Sequence, residues 1–415
     1  MRYNKEMGYS KDIVSGISWM GSLSILTKLI GLLEILIIAK LLLPAQFGAY
    51  GVALLILGIL EVLTETGVNV FLLQEKKINH YISSAWIVSI LRGIFITLIL
   101  IAIAPLVSDF FHSRESQFLI YLIGAVAFLR GFINPAIVKF QKELFFIKDF
   151  WFRFIVLVVD TTVAISLTYV LRTPVGIIIG LIAGVLTELI LSFIIVSPRP
   201  GLDFKFSYIT KIFHRGKWIT ASGTFDYVFH NIDNIAVGRI LGPAALGIYQ
   251  LAYSVSVMPM TEIGKVFTHV TLPVFVKMHT SPLKLKTAFL RIFIITLLIS
   301  VPITLVLIFF PEILVIILGM KWSAVGPILP VLAIVGFLKA LSGTTTGLFL
   351  SQKKQKCSTI VTFVNALTLC ALIIPLITVG GLFGAGLAGL SSMVIAIPFL
   401  IYYVYKIFST PVNKI

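Results

Sequence analysis

Charge is scarce in this sequence. Only 12% of its 415 residues are Asp, Glu, Lys or Arg, while 58% are hydrophobic and the mean hydropathy is +1.06. A soluble chain usually carries about 25% charged residues. So much apolar surface would aggregate in water, which excludes a water-soluble enzyme, a disordered chain and a fibrous protein. Cysteine is nearly missing too. Cys357 sits in a basic loop and Cys370 in an apolar run, a pattern that excludes a disulfide framework and a zinc site. There is no phosphate loop, no HExxH pair and no nucleophile elbow, so nothing nominates an enzyme or a resident cofactor. The polar start, MRYNKEMGYSKD, leads into an apolar stretch that is too long for a cleavable signal peptide and has no small-residue cleavage site.

What is abundant is long hydrophobic runs. With Gly, Pro and charge clusters as punctuation, they fall at 13–38, 45–73, 82–105, 116–138, 151–171, 175–197, 217–239, 244–274, 287–310, 324–350, 357–378 and 382–405. A spanning helix needs about 20 apolar residues. These runs are too long and too uniform for barrel strands, which leaves helices. The expected fold is an all-α polytopic membrane protein of twelve transmembrane helices.

The basic residues orient it. Of 33 Lys and Arg, 23 fall at the two termini and on alternate loops, starting with Arg2, Lys5 and Lys11. Five lie on the opposite face (Lys40, Arg114, Arg172, Arg239, Lys321) and five within spans. Short cytoplasmic loops retain Lys and Arg. The bias therefore places both termini in the cytoplasm, and it accounts for the net charge of +16 without a nucleic-acid partner.

The chain also repeats at an offset of 199. LLPAQFGAYGVA at 42–53 lies over LGPAALGIYQLA at 241–252, and Trp19/Trp218, Glu34/Asp233 and Lys40/Arg239 keep the register. Six spans per half is an even number, so both halves enter from the same side, as a parallel repeat. The expected division is a six-helix lobe over 1–198, a cytoplasmic linker over 199–216 that lies along the headgroups, and a second six-helix lobe over 217–415. Pro44 and Pro243 suit the first turn of the second helix of each half.

Ionised groups in spans are costly, about 2.5–3.5 kcal/mol each on the lenient scales, so they point to a wet cavity or to pairing. Asp226, His230 and Asp233 share a helical face at i, i+4 and i+7, extended by Asn234. A carboxylate beside a histidine could carry protons. The competing reading has Asp233 and Glu34 holding helices together or pairing with Arg239 and Lys40. Glu61, Glu65 and Asn69 share another face, either as a cation or proton site or as an interhelical network. Asp160 and Glu188 read as structural. Lys28, Arg92, Arg130, Lys265 and Lys339 could line a cavity for an anion, with snorkelling as the alternative. GLFGAGLAG at 381–389 reads as close helix packing.

Several segments are similar to one family. NIDNIAVGRILGPAALGIYQLAYSVSVMP at 231–259 resembles the seventh-to-eighth helix signature of bacterial polysaccharide exporters. THVTLPVFVKM at 268–278 resembles the end of their eighth helix, MKWSAVGPILPVLAIVGFLKAL at 320–341 the entry to their tenth, and VKFQKELFF at 138–146 their basic loop after helix four. The last departs from the family in placing Leu144, Phe145 and Phe146 where another Arg is frequent. The family is the Wzx-type lipid-linked oligosaccharide flippases, within the multidrug/oligosaccharidyl-lipid/polysaccharide exporter superfamily.

The resemblance implies two six-helix lobes forming a V that rock by alternating access in a bacterial or archaeal cytoplasmic membrane. It implies movement of an undecaprenyl-diphosphate-linked sugar unit from the inner to the outer leaflet, with proton or sodium coupling and with polysaccharide polymerase machinery as a partner. Charge and placement, rather than family sites, nominate Lys28, Arg92, Arg130 and Lys339 for the diphosphate. They nominate Glu65, Asp226, His230 and Asp233 for coupling or sugar contact. A cation-coupled drug exporter of the same superfamily is the alternative, and it would favour an acidic cleft. A polymerase or ligase would need a large outer loop, and these outer loops are short. A major-facilitator transporter would need a basic motif where this chain has LLQEKKINHYI.

Overall fold

The computed structural model describes residues 2–202, 205–278 and 281–409, and the side chains of these apart from 2–18, 20, 213–222, 269–270, 273, 277 and 282. Trp218 of the repeat, and Arg2, Lys5, Lys11, Arg215, Lys217, Lys277 and Lys414 of the charge bias, have side chains outside the described residues. The described chain is helical, with no strand. Contacts divide it into two compact units, Met1–Asn231 and Ile232–Ile415.

The first unit contains α1 (Arg2–Leu41), α2 (Pro44–Leu63), α3 (Val68–Gln74), α4 (Ile82–Phe110), α5 (Arg114–Gly131), α6 (Val138–Lys142), α7 (Phe146–Leu171), α8 (Val175–Ile195) and the start of α9 (Phe206–Lys277). Here α4 packs on α5, α7 on α8 and α1 on α7, and α5 also meets α2 and α8. The close approach of α4 and α5 depends on Gly93 and Gly131. A Cβ on either would come within 2.8 Å of the facing helix's backbone oxygen, Ala127 O or Ser89 O. The second unit holds the rest of α9, with α10 (Pro282–Phe309), α11 (Glu312–Leu318), α12 (Val325–Ser351) and α13 (Gln355–Ser409). There α12 packs on both α10 and α13.

Among the described residues nine helices are long and apolar enough to cross a membrane, or ten with the bent pair Arg114–Gly131 and Pro135–Lys142. Their outer faces carry exposed Leu98, Leu106, Ile194, Leu298 and Phe309, the surface that acyl chains solvate. Two helices are broken. α9 bends at Gly242, with φ 84° and ψ 178°, and α13 at Gly381, with φ 55° and ψ −135°. The conformation at Gly242 is essentially confined to glycine. It lies one residue before Pro243, at the repeat position of the gap between α1 and α2, where Pro44 opens α2.

One difference from the hydropathy reading bears on function. The run 45–73 is not one helix. It stops at Leu63, and α3 starts after Gly67, which is left-handed at φ 64°. Thr64 turns its hydroxyl back onto Leu60 O at 2.6 Å, and the Glu65 carboxylate accepts from Gly67 N at 2.9 Å. These local bonds compete with the helix and end it. Hydropathy averages over such a break because the flanking residues stay apolar.

The segment expected to link the halves is held to the first unit. Lys139 donates to Ser197 O, Asn134 to Pro198 O, Gly201 N to Ser83 Oγ and Lys205 N to Ser84 Oγ. Lys211 reaches Tyr81 Oη at 3.0 Å and Glu75 at 3.2 Å. The Tyr81 bond first, and then Glu75, holds the Lys211 ammonium above its ordinary range.

Candidate functional site

The first unit holds a half-open cavity of about 440 Å³ lined by residues of α2 to α8. That is the size of a small-ligand site. Arg92, Arg130 and Arg153 line it, with Glu61, Glu188, Asn69, Asn134, Ser89 and Gln141. In a chain this poor in charge, three guanidiniums on one cavity are a concentration that hydrocarbon burial does not explain.

Each arginine is held by an acid. Arg130 comes from the last turn of α5, and its Nη1 meets Glu61 Oε1 at 2.5 Å. Arg92, on α4, donates from Nη2 to Glu61 O at 2.6 Å and from Nε to Thr64 Oγ1 at 3.2 Å, and it pairs with Glu65 at 3.4 Å. The break after Leu63 is therefore part of the site. By ending α2 there, it leaves the Glu61 carbonyl and the Thr64 hydroxyl as acceptors for Arg92. Arg153, two turns into α7, donates from Nε to Asp149 Oδ1 at 2.8 Å. Asp149 is fully buried, and its other oxygen has no partner. The charges of Arg153 and Arg130 both act on Glu188.

These bonds leave donors open. A guanidinium carries five N–H groups. Among the described residues, Arg92 Nη1, Arg130 Nε and Nη2, and Arg153 Nη1 and Nη2 make no hydrogen bond to the protein. Arg92 and Arg130 are 26% and 40% exposed, and Glu65 and Glu61 are 36% and 30% exposed. Pairs so accessible are worth about 1 kcal/mol or less. They orient the arginines without locking them away from a ligand.

The eight residues nominated from sequence are dispersed. Arg92 and Arg130 line this cavity, and Glu65 lies behind it as a partner of Arg92. Lys28 is exposed on α1 and does not line it. Asp226 and His230 form an exposed pair on α9, 3.4 Å apart and 74% and 58% exposed. Asp233 and Lys339 belong to the second unit. There the buried Asp233 accepts from Tyr249 Oη at 2.8 Å and from Asn234 N, while Lys339 donates to Tyr253 Oη at 2.8 Å. Lys265, the fifth intramembrane base, pairs with Glu262 on its own helix at 2.9 Å.

Sequence reasoning left out Arg153, Asp149 and Glu188 as site residues. Arg153 falls next to a basic loop, so it reads as one more cytoplasmic charge. The available signal was Asp149, four residues before it, an i,i+4 acid–base pair at the entry of an otherwise apolar helix.

A membrane chain whose described residues form helices and no strand, with a polar, ion-lined cavity inside one of its helical units, has the build of a transporter. The comparisons with known proteins narrow this. Residues 37–327 match the family described as polysaccharide biosynthesis protein, and the chain belongs to that family. It is 24% identical to the lipopolysaccharide biosynthesis protein WzxC of Escherichia coli K12 over 379 residues, covering 90% of this chain and 76% of WzxC. It is also 24% identical to the teichuronic acid biosynthesis protein TuaB of Bacillus subtilis 168 over 354 residues, covering 83% of this chain and 72% of TuaB. Among solved structures it is similar to the lipid II flippase MurJ in an inward closed conformation, with a TM-score of 0.72 and 15% identity over 94% of this chain and 88% of that one. At that identity the likeness is one of fold. The solved structures that share this fold include a flippase and a multidrug resistance transporter.

Proposed function

We propose that this protein carries an undecaprenyl-diphosphate-linked oligosaccharide repeat unit from the inner to the outer leaflet of the cytoplasmic membrane by alternating access, for cell-surface polysaccharide assembly. Both termini lie in the cytoplasm. The chain makes twelve passes, counting the bent pair as one and each broken helix as two. The observation that carries the reading is the open guanidinium edges of Arg92, Arg130 and Arg153 on one cavity. A diphosphate cannot enter hydrocarbon bare, and it is best met by several arginines at once. The sugar is met by the neutral polar groups of the same wall, Asn69, Asn134, Ser89 and Gln141, while the lipid tail stays in the bilayer. Glu65, Asp226, His230 and Asp233 are assigned to proton or sodium coupling or to sugar contact. The cation-coupled drug exporter is disfavoured because the cavity lining has more arginines than carboxylates.

Deleting the gene tests the reading in cells. The expected result is accumulation of the undecaprenyl-linked unit on the inner leaflet and loss of the surface glycan. An unchanged glycan together with altered drug tolerance would transfer the protein to the exporter class.

A further inference from the structure

Glu61 is the one carboxylate of the cavity lining that is directly bonded to a lining arginine. Its Oε1 sits 2.5 Å from Arg130 Nη1, while its main-chain oxygen, not its carboxylate, holds Arg92. The carboxylate therefore occupies Nη1, one end of the Arg130 fork beside the open Nη2, and an anion held across both Nη atoms has to displace it. Both partners stay partly open to water, at 40% and 30% exposure, so the pair can be exchanged. Arg130 has one further wall charge to answer, Glu188 on α8, which it shares with Arg153. Among the described residues, the other charged neighbours of Glu61 are Arg92 on α4 and Glu65 one turn on, and Tyr227 on α9 lies within reach of its charge.

We infer that Glu61 is an internal competitor for the phosphate-binding edge of Arg130, displaced when an anionic headgroup binds and returning to expel it. This rests on the reading of the cavity as the headgroup site, and it adds a release step to it. A carrier that holds a diphosphate with three uncontested guanidiniums binds tightly and lets go slowly. A tethered carboxylate lowers the affinity and speeds departure, because every loosening of the phosphate is answered by an anion already in place. Glu61 is suited to the task because its backbone is anchored, through its carbonyl oxygen, to Arg92. The side chain can leave Arg130 without moving the helix. Glu65 is less suited, since its carboxylate also accepts from Gly67 N and so takes part in the turn that ends α2.

The sign of one substitution separates this role from a structural one. If Glu61 merely orients Arg130, removing its charge loosens Arg130 and weakens anion binding. If Glu61 competes, removing its charge strengthens binding. The experiment titrates inorganic pyrophosphate into the purified full-length chain by calorimetry, and measures transport in proteoliposomes over a range of lipid-linked substrate. For Glu61→Gln the expected result is pyrophosphate binding about fivefold tighter, the size of one partly exposed ion pair. KM and kcat should fall together as release slows. Glu61→Asp keeps the charge but recedes from Arg130 by one methylene. It should shift binding in the same direction by less, which covers the case in which the Gln variant does not fold. Unchanged or weaker binding in both variants overturns the inference and leaves the headgroup site standing. If the wild-type chain shows no pyrophosphate binding that Arg92→Ala or Arg130→Ala reduces, the headgroup reading fails, and this inference fails with it.

Discussion

At the scale of single residues, the three cavity arginines are not equivalent. Arg92 and Arg130 are paired with acids that water reaches, so losing either arginine leaves a carboxylate that solvent can hydrate. Arg153 is paired with Asp149, which is fully buried and already has one unpartnered oxygen. Breaking a pair of this kind leaves a buried charge uncompensated, at a cost of about 2–3 kcal/mol. Arg153→Ala should therefore lower the thermal unfolding midpoint in detergent clearly more than Arg92→Ala does. Replacing the acid as well, in Asp149→Asn with Arg153→Ala, should recover most of the loss. Equal midpoints for the two single variants would contradict this ranking. The same residues mark how far the sequence could be read. Arg92 stands out because snorkelling serves poorly for a guanidinium in the middle of an apolar run, and Arg130, nearer the end of its run, stands out less. Arg153 does not stand out, because its position at the edge of a run is where ordinary cytoplasmic charge collects.

At the scale of elements, two breaks set the geometry. The first, at Thr64–Gly67, turns the Glu61 carbonyl and the Thr64 hydroxyl toward Arg92. The second, at Gly242, lets α9 turn beside Pro243. Gly242→Ala puts a side chain where φ is 84° and ψ is 178°, which costs about 1–3 kcal/mol. The expected outcome is a lower unfolding midpoint and reduced yield of folded protein, although a Cβ at that position would meet no neighbouring atom within 4 Å. An unaltered midpoint would mean that the backbone there is free to adopt another conformation. The Gly242–Pro243 break was visible in advance, since it is a repeat partner of the α1–α2 gap and carries a proline in the matching place. The break after Leu63 was not. It arises from side-chain-to-backbone bonds of Thr64 and Glu65 and from a left-handed Gly67, none of which alters mean hydropathy.

At the scale of the whole molecule, the class follows from a shortage of charge combined with long apolar runs, and the family assignment agrees with it. Site residues were harder to read, for a physical reason. Helical spacing reports which residues share a face, but not which faces of different helices meet. Asp226, His230 and Asp233 share a face by spacing, yet Asp226 and His230 are exposed while Asp233 is buried against Tyr249 and Asn234. Arg92 and Arg130, 38 positions apart in the sequence, meet because α4 and α5 close on Gly93 and Gly131. The central claim is that this arginine-lined cavity carries the diphosphate headgroup across the membrane. It is tested most directly by reconstituting the purified chain in vesicles with a lipid-linked oligosaccharide and following the exposure of its sugar to an external probe that cannot cross the bilayer. The account predicts sugar transfer between leaflets by the wild-type chain, and a fall of at least about tenfold, one 1.4 kcal/mol step, for Arg92→Ala with Arg130→Ala in a protein that unfolds at a similar temperature. Transfer at the wild-type rate by that double variant would contradict it.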